Sequence, residues 1–472
     1  MALRILFAAI GILPLLYILY QRFFSRLAAI PGPAGASWSK WWLIKTTRKG
    51  DFHRQIVRLH ATYGPLVRTG PNEVSVADPA AIKKIYGAGS KFRKAKWYDI
   101  LQGGRKFDLF GEQDIALHAS QRRLVSRIYA METLKDLEPY VEATVARFIE
   151  KIQDMLLENS VLDINIGKWL QLFAFDVIGE VTFAQPFGFL DAQEDDGIFP
   201  RIHKSVASAV WLGHVPWVLR LHNYLMPVIG NHLAVNDKEG FVRDYTMRQV
   251  EARMERGSDR PDILGKLFSI HKEKPSALTM ANVTSVCSSN VGAGSDTTAI
   301  SLRAILWFLL TSPDKKEKLL NEINEIARSY GFTGRFDYQQ AMKMPYLQAV
   351  IYEALRLYPA IGMALPRIVP TGGLFVAEKF IPEGTVVSTS AWAIHRNKDI
   401  YGEDVETFRP ERWIEEKTGG MHGHFLTFGM GARTCIGKNI SWMEMSKLIP
   451  TLLFHFDMNL TNPDTVLEEY CR

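Results

Sequence analysis

Residues 428–437 read Phe428-Gly-Met-Gly-Ala-Arg433-Thr-Cys435-Ile-Gly437, and a helical pattern opens at Lys438. A thiolate at a helix N-terminus is stabilised by backbone N–H groups and by the positive end of the helix dipole. Gly431 and Gly437 permit turns and let a flat ligand approach the main chain. Phe428 is placed to shield the sulfur from water, and Arg433, two residues before Cys435, to pair with an anionic group beside it. Together these features suit a cysteinate ligating a heme iron whose propionates need cationic partners. Rival readings fit less well. Gly429-x-Gly431-x-x-Thr434 lacks the third glycine of a dinucleotide fingerprint. Gly437-Lys438-Asn439 lacks the earlier glycine and the final Ser or Thr of a phosphate loop. A lone cysteine is most often a buried apolar side chain. Five fixed positions around Cys435, in a chain with only three cysteines (Cys287, Cys435, Cys471), argue against that reading here.

Upstream of the loop stand five further patterns. Glu353-Ala-Leu-Arg356 puts two charges on one helix face at i,i+3. Phe408-Arg-Pro-Glu-Arg412-Trp413 lies between that helix and the cysteine loop. Ala293-Gly-Ser-Asp296-Thr297-Thr298 is a polar cluster inside a long apolar helix, where Gly294 and back-bonding hydroxyls predict a local bulge. His118 and Arg122, at i,i+4, share a face of another helix, and Arg367 follows a proline. With these residues in view, the chain resembles the cytochrome P-450 family of heme-thiolate monooxygenases from about residue 30 to its end. The resemblance implies heme b held by Cys435 as axial thiolate, with Phe428 and Gly437 flanking it. It implies Arg433, His118, Arg122 and Arg367 at the propionates. It implies a buried charge network of Glu353, Arg356 and Arg412 supporting the loop, and proton delivery by Asp296 and Thr297. It further places substrate near residues 97–115, 210–224, 289–293 and 361–365.

The rest of the 472-residue chain is read as mainly α with a minor β-sheet region, a P-450 fold preceded by an N-terminal transmembrane helix. Helices are expected near 51–63, 116–130, 138–158, 168–181, 236–256, 279–311, 313–330, 345–357 and 438–455. Short strands are expected at 66–68, 73–77, 373–376 and 385–390. No repeat or low-complexity tract appears. A content of 47% apolar and 22% charged residues excludes wholesale disorder. The formal charge of +6 is too mild to argue for nucleic acid but suits an anionic membrane face or an acidic protein partner. Residues 5–20 carry no charge, with Arg4 before and Arg22 and Arg26 after them, which predicts a membrane anchor. A cleaved signal peptide is the competing reading. Ile30-Pro-Gly-Pro33 predicts a stiff hinge, so residues 1–30 are assigned to anchor and hinge and 31–472 to the catalytic domain. Residues 211–225, rich in aromatics, are candidates for the membrane interface. Only 35 residues follow Gly437 (472 − 437), so the family's C-terminal pocket hairpin is expected to be clipped or abbreviated.

The function expected is insertion of one oxygen atom from O2 into a small apolar substrate, in secondary metabolism. NADPH would supply electrons through a flavoprotein reductase docked near Arg123, Arg127 and Lys438. The protein is expected at the endoplasmic reticulum with its catalytic domain in the cytoplasm. Two alternatives stand beside it: a heme-thiolate isomerase, dehydratase or peroxygenase, and a non-catalytic heme-binding membrane protein. Asp296-Thr297 argues against the first, because those reactions need no timed proton relay to dioxygen.

Overall fold

The computed structural model describes residues 12–159, 161–331, 334–416 and 419–467, with residues 236–241 described by backbone alone. The elements that position the site run in chain order. Helices α1 (Trp41–Lys49) and α2 (Phe52–Tyr63) precede strands β1 (Leu66–Gly70) and β2 (Glu73–Val76) and helix α3 (Pro79–Tyr86). Then come α4 (Ile115–Val125), α5 (Glu138–Glu158), α6 (Ile166–Phe183), α7 (Ile198–Leu212), α8 (Pro216–Ile229) and α9 (Ala234–Arg256). The 31-residue α10 (Met280–Leu310) leads into α11 (Pro313–Tyr330) and α12 (Pro345–Leu357). Strands β3 (Arg367–Ile368), β4 (Leu374–Val376), β5 (Lys379–Ile381) and β6 (Val386–Ser388) follow, and α13 (Glu411–Glu415) and α14 (Lys438–His455) close the fold. The chain is thus mainly helical with a small sheet. Strand order is β1-β2-β6-β3, with β2 and β6 parallel, and β4 and β5 form a separate hairpin.

Local chemistry sets several helix starts. Asp78 accepts the N–H of Ala81 with Pro79 at the first helical position, Asp114 accepts that of Leu117, and Thr279 that of Asn282. Helix α6 is apolar nearly all round, and almost every side chain from Gly167 to Phe183 is buried, the mark of a central helix. It packs along α10 at the centre of the main core. Gly294 allows this approach: a Cβ there would lie 2.9 Å from Ile178 Cδ1. The bulge expected at Gly294 is absent, because α10 is unbroken. The hydroxyls of Ser295, Thr297, Thr298 and Ser301 instead bond the carbonyl four residues back without opening the ladder.

The long helices lie where the apolar periodicity puts them. Helices α7 and α8 have no counterpart among the expected ones, since one long aromatic stretch there masked two short helices separated by Gly213-His-Val. The expected hinge is packed rather than free. Leu27 and Ile30 are buried against the sheet, and the Arg68 N–H donates to Pro31 O at 2.7 Å. Of the apolar segment at 5–20, residues 5–11 lie outside the described part, as does Cys471. Residues 12–19 are helical, and a short π turn follows at Tyr20–Phe24. Among the described residues no helix is long and apolar enough to cross a membrane.

The charge network that the family resemblance implied for Glu353, Arg356 and Arg412 forms in the fold. The Glu353 carboxylate, wholly buried on α12, accepts from Arg356 Nε (2.8 Å) and Nη2 (2.9 Å) and from Arg412 Nε (2.9 Å). It also accepts the Trp413 indole N–H (2.9 Å) and the Arg409 backbone N–H (3.1 Å). Arg356 Nη1 then holds the carbonyls of His395 and Val405, both at 2.8 Å. His395 bonds Arg356 O through Nδ1 (3.0 Å) and accepts the Leu426 N–H at Nε2 (2.8 Å). Burial, seconded by the Arg356 charge, holds its imidazole neutral, with the pKa lowered to about 3. A chain of bonds therefore runs from α12 to the residue two before Phe428. Removing one member leaves buried cations without a counter-charge, at a cost of about 3–5 kcal/mol. Glu353→Ala is expected to lower the unfolding free energy by that amount, read as a lower urea midpoint, and to give protein with little bound heme. Normal heme content and an unchanged midpoint would contradict the role.

Candidate active site

The cysteine loop is held by its own main chain. The Cys435 N–H donates to Phe428 O at 2.7 Å, and the Thr434 hydroxyl to Gly431 O at 2.9 Å. Gly431 has φ +64°, and a Cβ there would sit 2.4 Å from Tyr86 O at the end of α3, so no other residue fits. Burial pushes the Cys435 thiol up, while the N–H groups of Gly437 and Lys438 and the charges of Arg122 and Lys438 pull it down. The balance favours the thiol, so a metal ion bound at the sulfur would displace its proton to solvent. Cys435 is exposed although the loop surrounds it. The Lys438 ammonium sits 5.7 Å from the Phe428 ring centroid, and that ring covers the loop.

A second cluster, of cations, meets beside the loop. His118, Arg367 and Lys94 are all buried. Burial and then the charge of Arg367 lower Arg433 to about 10. Burial, with Arg433 next, lowers His118 to about 3. Lys94 falls well below its usual range through burial and the charges of Arg367 and Arg433. Few carboxylates offset this. Arg433 spends its donors on the backbone carbonyls of Glu112, Gln113 and Asp114, Arg367 on Tyr98 Oη (3.1 Å) and Pro366 O (3.2 Å), and Lys94 on Phe110 O. His118 Nε2 is buried with no hydrogen-bond partner among the described residues. Mutually repelling buried cations and an orphaned imidazole nitrogen are a receptor for a ligand edge carrying two carboxylates. The residues present therefore fit heme b: Cys435 would ligate its iron, and Lys94, His118, Arg122, Arg367 and Arg433 would hold its propionates.

The structure brings His118, Arg122, Arg367 and Arg433 together as expected and adds Lys94. The tract Lys91-Phe-Arg-Lys94-Ala-Lys96 has four cations and no periodicity. Only the bridge between Lys94 and Arg367, a tertiary pairing, singles out one of them. Arg123 on α4 and Arg127 in the 3-10 turn that follows it are exposed, whereas His118 is buried.

Helix α10 is tied to the same loop. Thr298 Oγ1 lies 3.0 Å from Ser441 Oγ on α14, and Asn439 donates to Tyr129 O while Tyr129 Oη bonds Asn290 Oδ1 at 2.9 Å. Thr297 Oγ1 donates to Ala293 O (2.8 Å), which leaves its oxygen free to accept. The expected substrate segments converge only in part. Trp97 Nε1 donates to Val210 O (3.1 Å), Met363 and Ala364 share that cluster, and Arg105 reaches Ser289 Oγ at 3.4 Å. Residues 216–224 join them only at their start: Val218 and Leu219 pack beside Ile100 and Leu212, while α8 has no buried residue and Tyr224 is 82% exposed.

The cysteine loop, the buried cations and the polar turn of the central helix all lie within the stretch that one family model matches. The sequence model of the Cytochrome P-450 family matches residues 31–472. The chain belongs to that family. It is 41% identical to a cytochrome P-450 monooxygenase, hepC, of Aspergillus oryzae, across 97% of this chain and 92% of the relative. It is 35% identical to a pisatin demethylase of Fusarium vanettenii, across 97% of this chain and 88% of that protein. It is 34% identical to the monooxygenase cicH of Emericella nidulans, across 93% and 90%. This P-450 is a heme-thiolate monooxygenase. Lys94→Met is expected to speed loss of heme to excess apomyoglobin several-fold while leaving the thiolate-type carbon monoxide spectrum in place. An unchanged transfer rate would remove Lys94 from the cofactor site.

Proposed function

We propose that this P-450 hydroxylates or epoxidises a small apolar secondary metabolite, with electrons from NADPH through a flavoprotein reductase. The observation that carries the proposal is Cys435 among backbone N–H groups beside an under-compensated cation cluster, on the same helix packing that fixes Asp296 and Thr297. Bound there, heme supplies the activation of dioxygen. The chain's own residues do the rest. Cys435 ligates, the cations orient the macrocycle, and the apolar lining at Trp97, Val210, Met363 and Ala364 excludes water from an apolar substrate. Thr297 Oγ, bonded to Ala293 O, accepts a proton-bearing partner, and the Asp296 carboxylate takes and returns protons. This carboxylate–hydroxyl pair favours oxygen insertion over isomerase or peroxygenase chemistry. The exposed Arg123 and Arg127, with Lys438 beside the loop, offer an acidic reductase a docking face. Turnover with NADPH, O2 and reductase should add one oxygen to the substrate. Thr297→Ala should keep NADPH consumption within a few-fold while diverting most of it to peroxide. Product formation independent of NADPH, or unchanged coupling in the variant, would refute the reading.

The same proposal places the enzyme on the endoplasmic reticulum membrane, with residues 1–30 as single-pass anchor and hinge and the catalytic domain in the cytoplasm. Two sets of exposed apolar side chains support it: Ile12, Leu13, Leu16, Phe23 and Phe24, and Trp217, Leu221, Tyr224 and Val228 on α8. Helix α1, with exposed Trp41 at its start, packs on α7 just before α8, and Arg48 lies 5.7 Å over the Trp211 ring. Trp217→Glu with Tyr224→Glu, in a chain starting after residue 30, should lower vesicle flotation several-fold. Equal flotation would exclude α8 from the membrane contact.

A further inference from the structure

Asp296 is the acid on which the proposed proton delivery rests, and its surroundings are unusually specific. Its Oδ1 accepts from Gln171 Nε2 on α6 at 2.9 Å and lies 3.1 Å from His203 Nε2 on α7. The Gln171 and His203 nitrogens are themselves 3.5 Å apart. Gln171 is 8% exposed between Leu170 and Leu172, both wholly buried, so its amide has been taken out of water. Such an amide needs a partner, and Asp296 is that partner. The His203 side chain is 46% exposed and that of Asp296 26%. Three helices thus converge on one carboxylate oxygen, and exposure rises along the path from Gln171 to Asp296 to His203. Among the described residues nothing is bonded to the other oxygen, Oδ2.

We propose that His203 is a positioning residue that acts through Asp296: with Gln171 it holds Oδ1, and it loads the carboxylate with protons from solvent. The inference rests on the proton-delivery role given to Asp296 above. A carboxylate oxygen only accepts, so the His203 nitrogen facing it carries hydrogen. A proton taken up from water at Nδ1 makes the ring cationic, and the Nε2 proton then passes to Asp296, leaving a neutral ring and a neutral acid. The neutral carboxyl, no longer held as an anion by its two donors, turns about Cβ–Cγ and gives the proton it carries on Oδ1 onward to the site, and exchange of the ring with water restores the starting tautomer. One proton enters and one leaves, with no electron moved. Gln171 cannot substitute in this step, since an amide does not titrate; its part is to fix the rotamer of the carboxylate.

The test uses the heme-loaded full chain and its reductase. His203→Gln keeps an N–H donor for Asp296 but cannot carry a proton. It is expected to slow product formation on the order of tenfold and to raise the solvent deuterium isotope effect on turnover. The carbon monoxide spectrum and the substrate-binding shift should stay as in the unaltered protein. Wild-type turnover and isotope effect in His203→Gln would overturn the proposal. A readout apart from turnover is the ring 15N signal of His203 in the carbon monoxide-bound ferrous protein, assigned by its loss in His203→Gln. Asp296→Asn should move its Nε2 resonance, and an unmoved resonance would also overturn it. If Asp296→Asn leaves turnover and coupling intact, the proton-delivery reading itself fails. If Asp296→Asn is slow and His203→Gln is not, that reading stands and only the role of His203 falls.

Discussion

One buried carboxylate sets the path of the chain to its reactive sulfur. Glu353 lies wholly inside the protein and accepts five hydrogen bonds, from Arg356, Arg412, Trp413 and the Arg409 backbone. A buried charge with fewer partners would be costly; fully bonded, it specifies one arrangement and excludes others. Arg356 extends the order to the carbonyls of His395 and Val405, and neutral His395 passes it to Leu426. The residues that follow are those of the cysteine loop, so Cys435 inherits its position from a network that never touches it.

On the opposite side, the central helix depends on close packing rather than charge. Gly294 lets α6 approach, and Thr298 pins the same turn to Ser441 three residues into α14. The thiolate loop and the polar turn are therefore fixed relative to each other through short, separately satisfied contacts. Hydroxyls that might have opened the helix bond back along it instead, so Asp296 and Thr297 project from regular backbone. The cation cluster adds a different constraint. Its members repel one another and are stabilised by what they bind, which is how a protein stores affinity for a dianionic edge in advance.

Much of the site was legible because its chemistry is local. Phe428 to Gly437, Glu353 with Arg356, and His118 with Arg122 are short patterns whose spacing fixes which side chains share a turn or a face. Lys94 escaped because nothing local separates it from Lys91, Arg93 and Lys96. Gln171 and His203 escaped for the same reason, one hidden in an apolar helix and the other on a helix that the expected elements did not include. The expected bulge failed because the pattern of Gly and hydroxyl residues permits two hydrogen-bond outcomes, and packing against α6 chose the regular one.

By itself the sequence determined the class of fold, the turn chemistry around Cys435 and the shared helix face of Glu353 and Arg356. Each is encoded by residues within a few positions of one another, where helix and turn geometry leave little freedom, whereas Arg412, 59 residues from Glu353, entered through the family resemblance. Only the tertiary structure decided which lysine joins the propionate cations, that α8 faces outward, and that Asp296 shares one oxygen between Gln171 and His203. Those are meetings of segments dozens to hundreds of residues apart, and burial together with unsatisfied hydrogen bonds, not spacing, selects among the side chains that could have met there.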